Sequence, residues 1–326
     1  MPANLTPAYF EAEKRYRSAE TPEEKAEALQ EMLRVMPKHK GTDGLRAELR
    51  TKIAKLSKEA AKAQATARRG GIYHIPKEGA GQVTLVGLPN VGKSQLVSAV
   101  TEASLEVADY PFTTKIPQLG MMKFENVQIQ LVDMPPITDQ EARPWFAAVL
   151  RSTDVLLLMV DLEIDPVTEV QEILAELAKY RIGLAGMADV SEEMVFRKSG
   201  IIVGSKSELD TSSSNAARLK ARYEKEVAVL SISAKRRIGL DEFRRVAFEQ
   251  LGVVRVYTKS PGAVADLSDP MVLKEGSTIE EAAEAVHKDF RQRLKYALIW
   301  GSGKFDGQRV KRDHVVQDGD VIELHA

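Results

Sequence analysis

Apolar and polar positions fall into three patterns along the 326 residues. Up to about residue 78 the chain is rich in Ala, Glu, Lys and Arg and poor in β-branched residues, which is helical composition. Thr21-Pro22-Glu23-Glu24 is a capping box with proline at the first helical position, and Leu29, Leu33 and Met36 then recur at helical spacing until Pro37. After the turn-forming KHKGTDG, Leu45, Leu49, Ile53 and Leu56 make a second stripe, so 1–78 reads as a helical hairpin region. Over 79–252, short apolar runs at 82–86, 127–132, 155–160, 200–203 and 227–232 alternate with helical stretches at 97–105, 144–150, 167–180, 215–226 and 240–251. β-Branched strands alternating with helices predict an α/β domain, a mostly parallel sheet covered on both faces. Asp165-Pro166 opens its helix by the same cap logic as Thr21-Pro22. Over 253–326 the order becomes a strand at 253–258, a helix at 279–290, and strands at 296–300 and 321–324, a small α+β domain. Ser277-Thr278-Ile279-Glu280 caps that helix, whose stripe is Ile279, Ala282, Ala283, Val286 and Phe290.

Composition narrows the chemistry. There are no cysteines, which removes disulfides, thiolate zinc sites, iron–sulfur clusters and cysteine nucleophiles and fits a reducing, cytoplasmic setting. The longest apolar run, 155–160, is too short to span a bilayer, and the N-terminus carries no apolar stretch behind its charges, so neither a membrane nor an export signal is expected. Lys plus Arg (46) almost cancels Asp plus Glu (47), against a uniformly basic nucleic-acid binder. The cancellation averages over unlike segments: between Lys38 and Arg69, ten basic residues face only Asp43, Glu48 and Glu59. That stretch is either a solvated helix face or a surface for a phosphate backbone. His287, His314 and His325 form no metal-ligand spacing, and Trp300 is expected in the core.

The chemistry-bearing motif is Gly87-Leu88-Pro89-Asn90-Val91-Gly92-Lys93-Ser94, directly after the VTLVG strand. It fits GxxxxGK[ST], a loop whose backbone N–H groups cradle phosphates while a lysine reaches the β and γ groups and a hydroxyl holds magnesium. Behind it, in order, come Asp109-Tyr110-Pro111-Phe112-Thr113-Thr114, with a hydroxyl able to complete magnesium coordination, and Asp133 at the end of the next predicted strand. Ser233-Ala234-Lys235 then follows the VAVLSIS strand, where a base-contacting loop belongs.

GLPNVGKS, ADYPFTT and SAK resemble the first, second and fifth motifs of the Obg and developmentally regulated GTP-binding (DRG) families of GTPases. The tail VRVYTKSPG, HKDF, KYALIWGS, KFDGQRV and DHVVQDGDVIELH resembles the TGS domain, a β-grasp fold, that closes DRG proteins, and MPKHKGTDGLRAELRTKIAKL resembles their N-terminal helical segment. DRG proteins usually carry a domain inserted in the G domain; from Asp161 to Lys206 there is room for only one helix and a loop. The resemblance implies a P-loop G domain in which Gly87, Asn90, Val91, Gly92, Lys93, Ser94 and Gln95 surround the phosphates of GTP or GDP. It implies that Ser94 and Thr114 bind Mg²⁺ with Asp133 in its outer shell, that Phe112 and Thr113 belong to the nucleotide loop, and that Lys93 and Thr114 serve catalysis. Asn90 matches an asparagine that in related GTPases helps hold K⁺ in place of an arginine finger. Ribosome or RNA contacts through the hairpin and the TGS domain, and a regulatory protein partner, are implied in the same way.

Two departures matter. The DxxG glycine, whose N–H senses the γ-phosphate, is Pro136, with no N–H and a locked φ. Ile137 replaces the catalytic glutamine of Ras-like proteins, so an apolar side chain stands where water would be oriented, and Thr138 with Glu141 is expected to start the next helix. In place of NKxD stands Gly204-Ser205-Lys206-Ser207-Glu208-Leu209-Asp210, with Ser205 for the asparagine and Glu208, or Asp210 in a bulged loop, for the aspartate that reads guanine. Two functions follow: a slow, cation-assisted GTPase that controls docking to the ribosome or RNA, or a nucleotide-binding module that has lost hydrolysis. An ATPase or kinase is a third.

Overall fold

The computed structural model describes residues 75–101, 106–107, 117–138, 144–187, 196–210 and 213–325, with scattered positions between Leu29 and Lys52. The chain forms two compact units, Met1–His74 and Ile75–Ala326. In the first unit, 31–35 is helical, with Leu29, Met32 and Met36 buried, which places Met32 beside the expected stripe. The remainder of the expected hairpin, most of its basic stretch included, lies outside the described residues.

The second unit begins with an eight-stranded sheet. Its strands are β1 (Gln82–Gly87), β2 (Glu106–Val107), β3 (Gln118–Phe124), β4 (Val127–Asp133), β5 (Val155–Asp161), β6 (Ile182–Leu184), β7 (Phe196–Ser205) and β8 (Ala228–Ser231). The order is β2-β3-β4-β1-β5-β7-β6, with β8 also on β7; β4, β1, β5, β7, β6 and β8 run parallel, and β3 pairs antiparallel with both β4 and β2. β1 and β5 are buried along their whole lengths, as continuous apolar central strands must be. The helices are α1 (Lys93–Val100), α2 (Pro144–Ser152), α3 (Pro166–Lys179), α4 (Ser214–Tyr223) and α5 (Leu240–Gln250). Leu85, Leu96, Leu131, Leu157 and Phe243 meet in the core between sheet and helices. Asp165 caps α3 as expected, its carboxylate accepting from the Val167 N–H with Pro166 at the first helical position.

Three expectations need correction here. α1 starts at Lys93 and ends at Val100, four residues earlier than expected at the start, because Gly92 at φ 91° turns the loop straight into the helix and Thr101 is already extended. β3 was not expected, since Gly120 interrupts its apolar pattern, and between Asp161 and Lys206 the chain adds β6 and a longer β7 to the one helix. α2 starts at Pro144, where the helical stretch was expected, and Glu141 of the expected start signal lies outside the described residues.

β9 (Val253–Thr258), β10 (Met271–Lys274), α6 (Ile279–Val286), α7 (Lys288–Arg293), β11 (Tyr296–Trp300), β12 (Gln308–Val310) and β13 (Asp320–His325) follow, and their five strands make the second sheet, ordered β10-β9-β13-β11-β12. Its core lies on one face, where Val256, Ala297, Ile299 and Ile322 pack with Ile279, Ala282 and Ala283 of α6. The capping box is one residue later than expected, Thr278 with Glu281. The expected single helix breaks at the extended His287, whose Nδ1 accepts from the Asp289 N–H and caps α7, which leaves Val286 exposed. Trp300 is half-buried, with the Lys259 ammonium 3.9 Å from its ring centroid, and is not core.

The two sheets are joined through the β3–β4 hairpin. Arg255 of β9 pairs with Glu125 and with Asp318, and its guanidinium lies 5.1 Å from the Phe248 ring centroid. Asn126 Nδ2 donates to the Tyr257 hydroxyl at 2.6 Å and to the Leu267 carbonyl at 2.9 Å. Among the described residues no helix is long and apolar enough to cross a membrane.

Candidate functional site

β1 ends in the loop that turns at Asn90 (φ 64°) and Gly92 and feeds α1, so the N–H groups of the first helical turn face one cleft. That cleft, about 480 Å³, is lined by Asn90, Lys93, Ser94, Gln95, Asp133 and Pro136 among others. Lys93 is buried, and its ammonium donates to the Gly87 and Leu88 carbonyls at 3.2 and 3.0 Å. Burial holds it below the usual lysine range, with the Asp133 charge opposing.

Asp133, the last residue of β4, accepts from the Ser94 hydroxyl through Oδ2, while Oδ1 is buried with no hydrogen-bond partner among the described residues. Burial pushes this carboxyl up; the Ser94 hydrogen bond and the Lys93 charge pull it down by less. A hydroxyl and a carboxylate are hard oxygen ligands, and the unpartnered oxygen marks a place for a cation or its water, so this pair fits Mg²⁺. Pro136 lines the cleft with no N–H to offer; the next N–H, of Ile137, donates to the Gly87 carbonyl at 3.2 Å, and the Ile137 side chain is buried. Gln118, at the start of β3, also lines the cleft and escaped the sequence reading because its strand did. Phe112, Thr113 and Thr114 lie outside the described residues.

The other end of the site is built after β7. Ser205 is buried, and its hydroxyl lies 2.7 Å from the Val91 carbonyl and 2.9 Å from that of Val160, tying the loop to the phosphate loop. Lys206, at φ 55°, pairs with Asp161, whose backbone N–H in turn donates to the buried Glu169 carboxylate at 2.6 Å. Burial raises the Glu208 carboxyl, but the Ser233 hydroxyl, its own amide and the charges of Arg236 and Lys235 outweigh it and hold the group below the ordinary glutamate range. Glu208 is therefore ionised, and its Oε2 is buried with no partner among the described residues. Asp210 is already engaged: it accepts from the Ala216 N–H at 2.9 Å and holds the first turn of α4. Ser233, fully buried, accepts from the Arg236 N–H at 3.0 Å, which shapes the loop of Ala234 and Lys235 beside Glu208.

Gly239 fixes that loop from below. At φ 74° its missing Cβ would stand 2.7 Å from the Ser231 carbonyl oxygen. Gly239→Ala is expected to destabilise the fold by about 1–3 kcal/mol and to displace the Ser233 loop. Denaturant titration together with nucleotide affinity checks both effects. No group of three or more His, Cys, Asp or Glu residues with metal-binding geometry occurs among the described residues.

The chain is similar to known GTP-binding proteins along most of its length. Residues 82–187 match the 50S ribosome-binding GTPase family and residues 254–326 the TGS domain. The chain is 25% identical to human developmentally-regulated GTP-binding protein 2, over 92% of this chain and 98% of that one. It is 26% identical to Ribosome-interacting GTPase 1 of Saccharomyces cerevisiae, again over 92% and 98%. The solved structure of the Schizosaccharomyces pombe YchF GTPase shares its fold with a TM-score of 0.52, 13% identity, and coverage of 77% of this chain and 99% of that one.

Proposed function

Since the chain belongs to the Obg/DRG family of GTP-binding proteins, a P-loop GTPase domain followed by a TGS domain, we propose that it is a guanine-nucleotide switch that hydrolyses GTP slowly and works in association with the ribosome. The observation that carries this reading is a pair of buried carboxylate oxygens without partners among the described residues, Asp133 Oδ1 and Glu208 Oε2. Ser205 ties the loop of Glu208 to Val91 of the phosphate loop, and Ser94, at the end of that loop, holds Asp133. A nucleotide with its cation supplies what each lacks: positive charge at the phosphate end, and the N1–H and N2–H donors of guanine at the base end. Adenine presents an acceptor at N1, which an ionised Glu208 repels.

Lys93 leaves the Gly87 and Leu88 carbonyls to meet the β and γ phosphates, while the N–H groups from Asn90 to Gln95 cradle them. Mg²⁺ held by Ser94, by Thr114 and, through water, by Asp133 would neutralise charge on the β and γ oxygens, and K⁺ beside Asn90 would add to this. Lys206, fixed by Asp161, lays its stem along the base, and Ser233, Ala234 and Lys235 close the base from the other side. Pro136 withholds a γ-phosphate donor and Ile137 cannot orient water, so the intrinsic rate is low. The same two residues favour the second reading, a module that binds nucleotide without hydrolysing it. Ribosome association is supported by the description of the matching family and by the name of the yeast relative.

Phosphate release from GTP in potassium and in sodium, beside the Lys93→Ala protein, tests the enzyme reading. Turnover above the variant, faster in potassium, is expected. No turnover above it in either salt leaves only the second reading.

pH separates the two ends. An aspartate with a raised value in the fold favours folding fully below its ordinary range and loses that contribution as pH rises through the raised value. Cation binding needs the ionised form, so acidification should weaken magnesium-dependent binding at a pH above the ordinary aspartate range. Glu208 behaves oppositely: its contribution holds above the ordinary glutamate value and disappears as pH falls through its lowered one. Competition between GTP and ATP measured across acid pH should show affinity falling before guanine preference does; loss of preference first would contradict these assignments.

A further inference from the structure

Glu169 is a buried acid that neither the phosphate end nor the base contacts of the site use. It stands in the first turn of α3, where an acid ordinarily complements the positive end of the helix from the surface. That task is already filled, since Asp165 accepts from the Val167 N–H and from the Thr168 hydroxyl. A carboxyl taken out of water needs hydrogen bonds in exchange. Glu169 reaches back to the strand before its helix, where Oε2 accepts from the Asp161 N–H at 2.6 Å.

The backbone explains the need. Along a parallel strand flanked on both sides, successive N–H groups bond to opposite neighbours. The Leu162 N–H donates to the Ser205 carbonyl of β7 at 3.1 Å, so the Asp161 N–H points the other way, toward β1. β1 ends at Gly87, opposite Met159, where the chain turns into the phosphate loop. Glu169 supplies the acceptor that β1 no longer offers.

The residue fixed in this way has a fully engaged side chain. Asp161 Oδ1 accepts from the Glu163 N–H at 2.9 Å, and Oδ2 pairs with Lys206. Lys206 directly follows Ser205, the ladder partner of Asp161, and sits at φ 55° in the left-handed region that favours glycine. A strained lysine keeps one position only while its surroundings hold it. Asp161 holds the ammonium, and Glu169 holds the main chain of Asp161.

We infer that Glu169 is a positioning residue for the base end of the site: by fixing the main chain of Asp161 it sets where Lys206 lies and how firmly a purine ring is held along its stem. This rests on the reading of the cleft as a nucleotide site with Lys206 along the base. The bond needs an acceptor, which either protonation state of the carboxyl supplies. A lysine stem lies along any purine, so Glu169 bears on affinity for GTP and ATP alike, and the choice between them stays with Glu208.

The test is a double-mutant cycle read by equilibrium binding of labelled GTP to the full chain, with a melting curve on each sample. Lys206→Ala is expected to weaken binding about tenfold, the scale of one lost contact. Glu169→Met, which keeps the length of the side chain and removes the acceptor, should give about five- to tenfold. The double variant should bind no worse than Lys206→Ala alone; independent effects would multiply to roughly fifty- to hundredfold. Glu169→Gln, which restores an acceptor, should bind within about threefold of the parent, a rescue that a purely structural charge would not show. Glu169→Ala takes the place of Glu169→Met in the cycle if the methionine variant does not fold. Parent-like binding by the acceptor-free variant overturns the inference, as do multiplying losses in the double variant or a changed ratio of GTP to ATP in competition. If the parent binds labelled GTP and any of these results is found, the inference falls alone; if the parent binds no labelled GTP, the reading of the site falls with it.

Discussion

Replacing Lys93 by alanine is expected to reduce GTP affinity and turnover by about 10²- to 10³-fold, the scale of deleting one preorganised donor from a site that stabilises developing charge. The loss should come without unfolding. In the ligand-free protein the ammonium is buried and held below its usual pKa, so the fold gains little from it beyond two hydrogen bonds to Gly87 and Leu88. Removing it takes a poorly solvated charge out of the interior, and the denaturation midpoint should move little. Lys93→Arg should not restore binding, because a planar fork cannot take the place of a point charge surrounded by loop carbonyls. Equilibrium binding of labelled GTP and a melting curve on the same samples separate loss of the site from loss of the fold.

The second large effect is expected at Glu208. A hydrogen bond to a charged group contributes about 1.5–3 kcal/mol, so Glu208→Gln should weaken GTP binding by roughly 10- to 150-fold. ATP, which gains nothing from the carboxylate, should bind no worse than before. A glutamine amide both accepts from N1–H and donates to a carbonyl at C2, so the variant should prefer xanthosine triphosphate over GTP. Asp210→Ala should behave differently. It removes the acceptor for the Ala216 N–H and should lower stability by about 0.5–2 kcal/mol while leaving the choice of base intact. If instead Asp210→Ala erased the preference for guanine and Glu208→Gln left it alone, the assignment of the base reader would be reversed.

The contrast between these two acids shows where sequence reasoning stops. The phosphate loop and Asp133 were legible because their chemistry is local: fixed spacing after a strand, then an acid at the end of the next parallel strand. The choice between Glu208 and Asp210 was not, since both carboxylates lie within one loop and only the backbone of α4 shows which is already engaged. The central strands were legible as continuous apolar runs, and β9 and β11 fell where expected. β3 was missed because Gly120 interrupts its pattern, and with it Gln118 at the rim of the cleft. The helix of the second domain was expected to run through His287, since its apolar spacing continues to Phe290. A histidine that can cap the following turn with its own ring ended it instead. Trp300 looked like core by residue type, yet strand alternation puts it on the face opposite Ile299, beneath Lys259.

The nucleotide that the cleft prefers is the most direct mark of a guanine site. Competition of unlabelled GTP and ATP against labelled GTP, with magnesium at neutral pH, measures that preference in one experiment. GTP is expected to displace the label at a concentration at least about tenfold lower than ATP, the ratio that one carboxylate contact of about 1.4 kcal/mol would give. Equal displacement by the two nucleotides would contradict the guanine site built on Glu208.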